Sequence, residues 1–390
     1  MRYNFDDIID RRGSGCVKYD DLSAFGNANV IPLWIADMDF EAPEFICQAI
    51  ARRAAHRVFG YGMRTDAYYA AITNWVERRN GWHIDREWID FTPGVVAGFV
   101  FALRALSAEG DGIVIMPPVY PPFAAQIKAN GRRVVENPLI PEKGYYRIDY
   151  DDLDRKLAEA TVLLFCNPHN PVGRVWTEDE IAKLGAICAK HNVIVVSDEI
   201  HSDLIMPGHK HVAFANACKD ALPKYLVCTA PSKTFNLATL QTSNIVIPDE
   251  ELRTKFQSIL QQHFTPSAGA LGLEACRLGY TECEGWLAEV IDLIYKSYKN
   301  FCKFIDVNCP GVTYSDLQGT YLMWIDCTTF GLDDEALDKL LRKHDLFCDA
   351  GTLFSQGGTM HTRVNLAGPE KMLNAAMQRF KDAYDEAKNA

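Results

Sequence analysis

Between about residues 90 and 245, short apolar runs rich in β-branched residues alternate with amphipathic stretches, and no other feature restricts the fold as strongly. The runs lie at residues 112–116, 133–135, 162–166, 193–196 and 225–228. Each is continuous in its apolar character, as expected for a strand buried on both faces. One intervening stretch, residues 178–190, carries a helix-start signature: Thr177 precedes it and Glu180 stands three residues on, the spacing of a capping box. Strands of this kind separated by helices predict an α/β fold with a mostly parallel sheet between helices. In such a sheet ligands bind beyond the carboxyl ends of the strands. The residues that follow each run are therefore the first place to look for chemistry.

Beyond about residue 285 the texture changes. Helical patterns at residues 286–304, 334–344 and 369–386 flank two short strand-like runs, 321–325 and 361–365. This predicts a smaller α+β domain. The first 45 residues contain no complete fold of their own and are expected to pack onto it. The expected division is a large domain over residues 46–284 and a small one built from 1–45 and 285–390. A chain of 390 residues suits two domains.

The formal charge of −11 disfavours nucleic acid and anionic membranes as main partners. The longest apolar stretch, around residues 95–103, is too short to cross a bilayer, and Arg104 follows it. The N-terminal sequence lacks the basic-then-apolar layout of a signal peptide. Twelve cysteines are scattered singly, with no CxxC pair and no zinc spacing, so no metal is expected. A cytoplasmic protein with cysteines as core filler is the expectation.

The strand ends supply the candidates. Tyr120 stands among prolines after the first run, where it can lay its ring on a planar ligand or simply pack. Asn170 follows the third run in Asn167-Pro168-His169-Asn170-Pro171-Val172-Gly173, a rigid turn that projects it in a fixed direction. Asp198 closes the fourth run, and a carboxylate at the mouth of a buried strand needs a partner. That partner can be a cationic ring nitrogen, a basic side chain or a helix N-terminus. Lys233 lies just past the fifth run; desolvated there, a lysine becomes a Schiff-base nucleophile, while in an open loop it is an ordinary surface residue. Upstream, Thr92-Pro93-Gly94-Val95-Val96 opens into a helical run, a turn that can offer free backbone N–H groups to an anion.

The order Gly94 turn, Tyr120, Asn170, Asp198, Ser232-Lys233 resembles that of the fold-type I pyridoxal 5′-phosphate (PLP) enzymes, the aspartate aminotransferase superfamily, over nearly the whole chain. Within it the sequence looks most like the MalY/PatB-like cystathionine β-lyase (C–S lyase) branch. The residues behind that likeness are Trp34-Ile35-Ala36-Asp37-Met38-Asp39-Phe40, Asp198-Glu199-Ile200-His201-Ser202-Asp203, Ser232-Lys233-Thr234-Phe235-Asn236-Leu237-Ala238 and Gly319-Thr320-Tyr321-Leu322-Met323-Trp324-Ile325-Asp326. The resemblance implies a large PLP-binding domain with a seven-stranded-type sheet, a smaller α+β domain and a homodimer.

It also implies roles. Lys233 holds the cofactor as a Schiff base and moves protons at Cα. Asp198 pairs with the pyridinium nitrogen, while Asn170 and His201 face the ring 3′-oxygen. Tyr120 stacks on the ring and counts with Lys233 and Arg363 among the catalytic positions. Backbone groups of Val95 and Val96, with Ser232, hold the phosphate, and Tyr61 reaches the phosphate of the neighbouring subunit. Arg363, with Ala36 and Asn170, binds the carboxylate of a small amino-acid substrate. Ala230, Thr239 and Gln241 depart from the common pattern, standing where relatives often carry Ser, Gly and Arg.

The implied reaction is β-elimination from cystathionine- or cysteine-type substrates, giving pyruvate, ammonia and a thiol. Transamination uses the same residues, because both begin with proton loss from Cα. A regulatory role on the same scaffold is a third reading, and the presence of Lys233, Asp198 and Arg363 argues against a purely non-catalytic one.

Overall fold

A computed structural model of the chain describes residues 3–21, 29–218, 221, 224–263 and 269–389. Its centre is a seven-stranded sheet: β1 (Ile89–Thr92), β2 (Gly112–Ile115), β3 (Arg133–Glu136), β4 (Val162–Cys166), β5 (Ile194–Asp198), β6 (Tyr225–Thr229) and β7 (Ser243–Val246). The spatial order is β1-β7-β6-β5-β4-β2-β3. β7 runs antiparallel to both neighbours and the remaining pairs are parallel.

The apolar runs behave as their composition dictates. In β4 and β6 every residue is buried. Side chains alternate between two cores: Val162 and Leu164 join Phe99, Phe123 and Phe256 on one face, while Leu163 and Phe165 join Trp176 and Phe214 on the other. The helix Glu178–Lys190 starts where the capping box places it. Thr177 Oγ1 accepts from the Glu180 N–H at 3.2 Å, and Glu180 Oε2 accepts from the Thr177 N–H at 2.9 Å.

The strand order reverses between β2 and β4. The chain moves outward from β2 to β3, then returns and proceeds the other way through β5 and β6. Loops leaving β2 and β4 therefore diverge and open a crevice.

A second sheet is antiparallel, with β8 (Thr313–Tyr314), β9 (Leu322–Asp326), β10 (Asp349–Ala350) and β11 (His361–Asn365) in the order β8-β9-β11-β10. Helices Glu284–Asn308, Asp334–Lys343 and Glu370–Asn389 accompany it. The N-terminal segment joins this part: Ile31–Pro32 pairs in parallel with Leu346–Phe347. Among the described residues no helix is long and apolar enough to cross a membrane.

The segment after Ile31–Pro32 is held along its length. Trp34 O accepts from Arg363, Ile35 O and Asp37 O from Asn365, Met38 O and Phe40 O from Asn236. Lys18, fully buried, reaches Asp39 at 2.6 Å and Asp37 at 3.2 Å, and Arg11 bridges the same two carboxylates. These bonds fix residues 34–40 in place, and Trp34, Ile35 and Ala36 form one wall of the crevice.

Candidate active site

The crevice is a cavity of about 540 Å3 lined by residues from both sheets and the N-terminal segment. Lys233 enters it from Pro231–Thr234, a single helical turn directly after β6. The turn is pinned from behind: Thr234 Oγ1 donates to Asp203 Oδ2 at 2.8 Å, and Trp75 Nε1 donates to Asp203 at 3.0 Å. Lys233 Nζ donates to the Ala36 carbonyl, which also accepts from Tyr321 at 2.8 Å. Burial lowers the Lys233 ammonium to about 8, with Asp37 opposing and Arg363 reinforcing the shift. Near neutral pH an appreciable fraction is then the free amine, the form that attacks carbonyl carbon.

Asp198 ends β5, flanked in register by Cys166 and Cys228. Its Oδ1 accepts the Ile200 N–H at 3.1 Å. Burial lifts its carboxyl to about 7, against the pull of that N–H and of Lys233. A backbone N–H is modest compensation for a buried charge, and a cationic ring nitrogen placed here would restore the ionised form. His201 is buried nearby, edge-on to Tyr321 with ring centroids 5.8 Å apart. Burial, with the charges of Lys233 and Arg363, holds its imidazole well below the ordinary range, so the ring is neutral. Its Nδ1 has no hydrogen-bond partner among the described residues.

Arg363 lies on β11, opposite Trp324 on β9 and Asp349 on β10. Its guanidinium donates to Asn170 Oδ1 at 3.1 Å, to Trp34 O at 2.8 Å and to Asp349 Oδ2. The Phe354 ring lies 5.0 Å from its central carbon. Thus Asn170, at the end of its rigid turn, meets an arginine from the other sheet.

Tyr120 sits where the loop after β2 meets the cavity, its ring edge-on to Phe123 at 6.0 Å. Burial, with the charge of Asp198, pushes its hydroxyl up to about 12, so it stays a donor at neutral pH.

Gly94 precedes the helix Val95–Leu106 with φ of +99°, a conformation that suits glycine. First-turn N–H groups of a helix have no intrahelical acceptor. Val95, Val96 and Ser232 line the cavity, so a helix start and a serine, groups that can cradle an anion, border it.

One expected residue is not brought to this cavity. Tyr61 is fully exposed, beside the exposed side chains of Val58, Phe59 and Met63. The lining residues Cys166 and Asp349 escaped the sequence reading, and so did Tyr321, which shares the Ala36 carbonyl with Lys233. Tyr321 lay inside a quoted stretch but read as strand. Asp349 has no motif around it, and only its register opposite Arg363 reveals it. Among the described residues no cluster of three or more His, Cys, Asp or Glu is placed to hold a metal.

The Asp198 environment has a consequence for stability. Its carboxyl stands near 7 in the fold against an ordinary value of 3.8. Between those values the folded chain keeps a proton that the unfolded chain has released. The contribution is fully present below the ordinary value and is lost as pH rises through the folded one. Three units correspond to roughly 4 kcal/mol. Protein stripped of small ligands should therefore melt at lower temperature at pH 8 than at pH 5, with several degrees less fall in Asp198→Asn. Equal slopes in the two proteins would refute this environment.

The constellation is a desolvated lysine, a buried carboxyl awaiting a cation, a neutral histidine, an anion cradle and an arginine fork. This set fits PLP. Comparison with known proteins agrees. The chain is 40% identical to cystathionine β-lyase PatB of Bacillus subtilis (strain 168) over 384 residues, 97% of this chain and 99% of that protein. Cystalysin of Treponema denticola, whose crystal structure contains a pyridoxal 5′-phosphate cofactor, superposes with a TM-score of 0.95 at 36% identity, covering 99% of this chain and all of that one. The PLP-bound C–S lyase of Staphylococcus hominis gives a TM-score of 0.93 at 32% identity over 98% of each chain. A family profile matches residues 28–380, and with it the chain belongs to the aminotransferase class I and II family.

Proposed function

We propose that this protein is a PLP-dependent carbon–sulfur β-lyase, cleaving cystathionine- or cysteine-type substrates to pyruvate, ammonia and a thiol. The observation that carries the reading is Lys233: an amine with its charge lowered by burial, facing Asp198 and Arg363 across one cavity. The names of PatB and of the solved C–S lyase support elimination over transamination.

When bound, PLP supplies an electron-withdrawing ring that delocalises the electron pair left when Cα–H breaks. In this reading Asp198 keeps that ring nitrogen protonated. His201 and Asn170 hold the ring oxygen, and Tyr120 covers one face. Ser232 and the N–H groups of Val95 and Val96 hold the phosphate. Arg363 fixes the substrate carboxylate, assisted by Asn170 and by residues 34–36. Lys233 takes the proton from Cα. The Cβ–S bond then breaks with its electron pair on sulfur, and a proton makes the thiol. One water hydrolyses the remaining three-carbon enamine to pyruvate and ammonia.

The reading includes a homodimer, with Tyr61 completing the phosphate site of the partner subunit. The exposed side chains of Val58, Phe59, Tyr61 and Met63 support that placement. It also includes a large unit over residues 46–284 that carries Lys233, and a small unit from 1–45 and 285–390 that carries Arg363. A cytoplasmic setting is in keeping with twelve unpaired cysteines.

The test is product analysis with L-cystathionine. Pyruvate, ammonia and homocysteine are expected in equal amounts with no keto acid added. A requirement for 2-oxoglutarate, with glutamate formed, would mean transamination.

A further inference from the structure

Elimination leaves open what the departing sulfur carries, and one side chain bears on this. The charged side chains lining the cavity, among the described residues, are Asp198, Lys233, Asp349 and Arg363. In the proposed reaction Asp198 and Lys233 engage the cofactor, and Arg363 takes the substrate carboxylate. Asp349 remains. It stands on β10 opposite Arg363 and its Oδ2 holds Arg363 Nη2. Its side chain is 13% exposed, and Leu353, which also lines the cavity, is 55% exposed. The clamp for the α-carboxylate is thus already half neutralised by a carboxylate of the protein. With a substrate carboxylate added, this corner holds one positive charge and two negative ones.

We propose that Asp349 is a specificity-determining residue that selects the group on the departing sulfur, admitting cationic and neutral arms and disfavouring anionic ones. The proposal rests on the C–S lyase reading. An arm ending in an ammonium meets Asp349 favourably, and the distal end of L-cystathionine or L-cystine, which carries an ammonium and a carboxylate, counts as neutral. An arm ending in a carboxylate alone meets a like charge in a cavity partly withdrawn from water, where charges several ångströms apart still interact strongly. The same charge disfavours dicarboxylic amino acids and 2-oxoglutarate.

The experiment compares holoenzyme with Asp349→Asn, which keeps an oxygen for Arg363 and deletes the charge. Three substrates differ in the arm: S-(2-aminoethyl)-L-cysteine, S-propyl-L-cysteine and S-carboxymethyl-L-cysteine. Their thiols differ in leaving ability, so each compound is compared between the two proteins. Asp349→Asn relieves the α-carboxylate of all three compounds alike, so the arm is read against the propyl compound: relative to it, kcat/KM should rise about tenfold for the carboxymethyl compound and fall about tenfold for the aminoethyl compound, mainly through KM. Three ratios that move together would overturn the proposal. A parallel calorimetric titration uses 3-(2-aminoethylthio)propanoate and 3-(carboxymethylthio)propanoate, which lack the α-amino group and cannot react. Wild type should favour the aminoethyl acid and Asp349→Asn should lose that preference; an unchanged preference overturns the role of Asp349. Absence of pyruvate from the propyl compound in wild type defeats the lyase reading instead, and the titration still decides charge selection.

Discussion

Replacing Lys233 with alanine is expected to cut pyruvate release by about four orders of magnitude while the protein stays folded. The first half of that expectation follows from two roles on one nitrogen. A positioned base contributes on the order of 10²–10⁴ in rate, and the same amine is the covalent anchor of the cofactor. The second half follows from burial. The ammonium loses hydration in the fold, and its hydrogen bond goes to the Ala36 carbonyl. Removing a charge that is partly uncompensated costs little stability and can raise it. Thermal melting within a few degrees of wild type, with loss of the borohydride-fixed cofactor label on the peptide containing Lys233, is the expected pair of results. A label found on another lysine would remove the assignment. Mixing Lys233→Ala with Tyr61→Phe chains should regain part of the activity, since a hybrid dimer holds one site with both Lys233 and Tyr61 intact. No recovery from demonstrated hybrids would remove Tyr61 from the partner's site.

The site was legible in the sequence wherever function forces a residue onto the end of a continuous strand. Lys233, Asp198, Asn170 and Tyr120 all lie at or beyond the ends of β-branched runs whose own apolar composition announces their burial. The edge of the sheet was not legible for the opposite reason. β1 reads Ile-Asp-Phe-Thr and β7 reads Ser-Asn-Ile-Val, yet all eight residues are buried. Their polar groups are satisfied by distant residues: Asp90 accepts from Gln257 at 3.1 Å, and Asn244 Oδ1 accepts from Tyr68 at 2.6 Å. Local composition makes such segments look like turns, and only the tertiary fold supplies the compensating bonds. The first 45 residues show the same limit. Lys18 appears as an ordinary surface residue until Asp37 and Asp39 are seen to enclose it. Arg363 needed the resemblance for its role, because nothing in Thr-Arg-Val-Asn announces that Asn170 and Asp349 will converge on it.

Arg363→Ala should raise KM and lower kcat together, for a total loss in kcat/KM on the order of 10³–10⁴. A planar fork binds a carboxylate through two charge-assisted hydrogen bonds, each stronger than a neutral one. Loss of that contact accounts for the rise in KM. The fall in kcat has a separate cause. In the proposed function the carboxylate clamp would also aim Cα–H at Lys233, the group that would take the proton. Misorientation of this kind can cost several kcal/mol. Arg363→Lys separates the two effects. A lysine returns the charge as a point without the fork, so KM should recover more than kcat. The truncation also strips a partner from Asn170 and from the partly buried Asp349. A buried carboxylate left unpaired costs roughly 3 kcal/mol, and the melting temperature of Arg363→Ala should fall accordingly, with part of the loss regained in the double variant Arg363→Ala, Asp349→Asn. A rise in KM with kcat unchanged would show that Arg363 binds the substrate without orienting it.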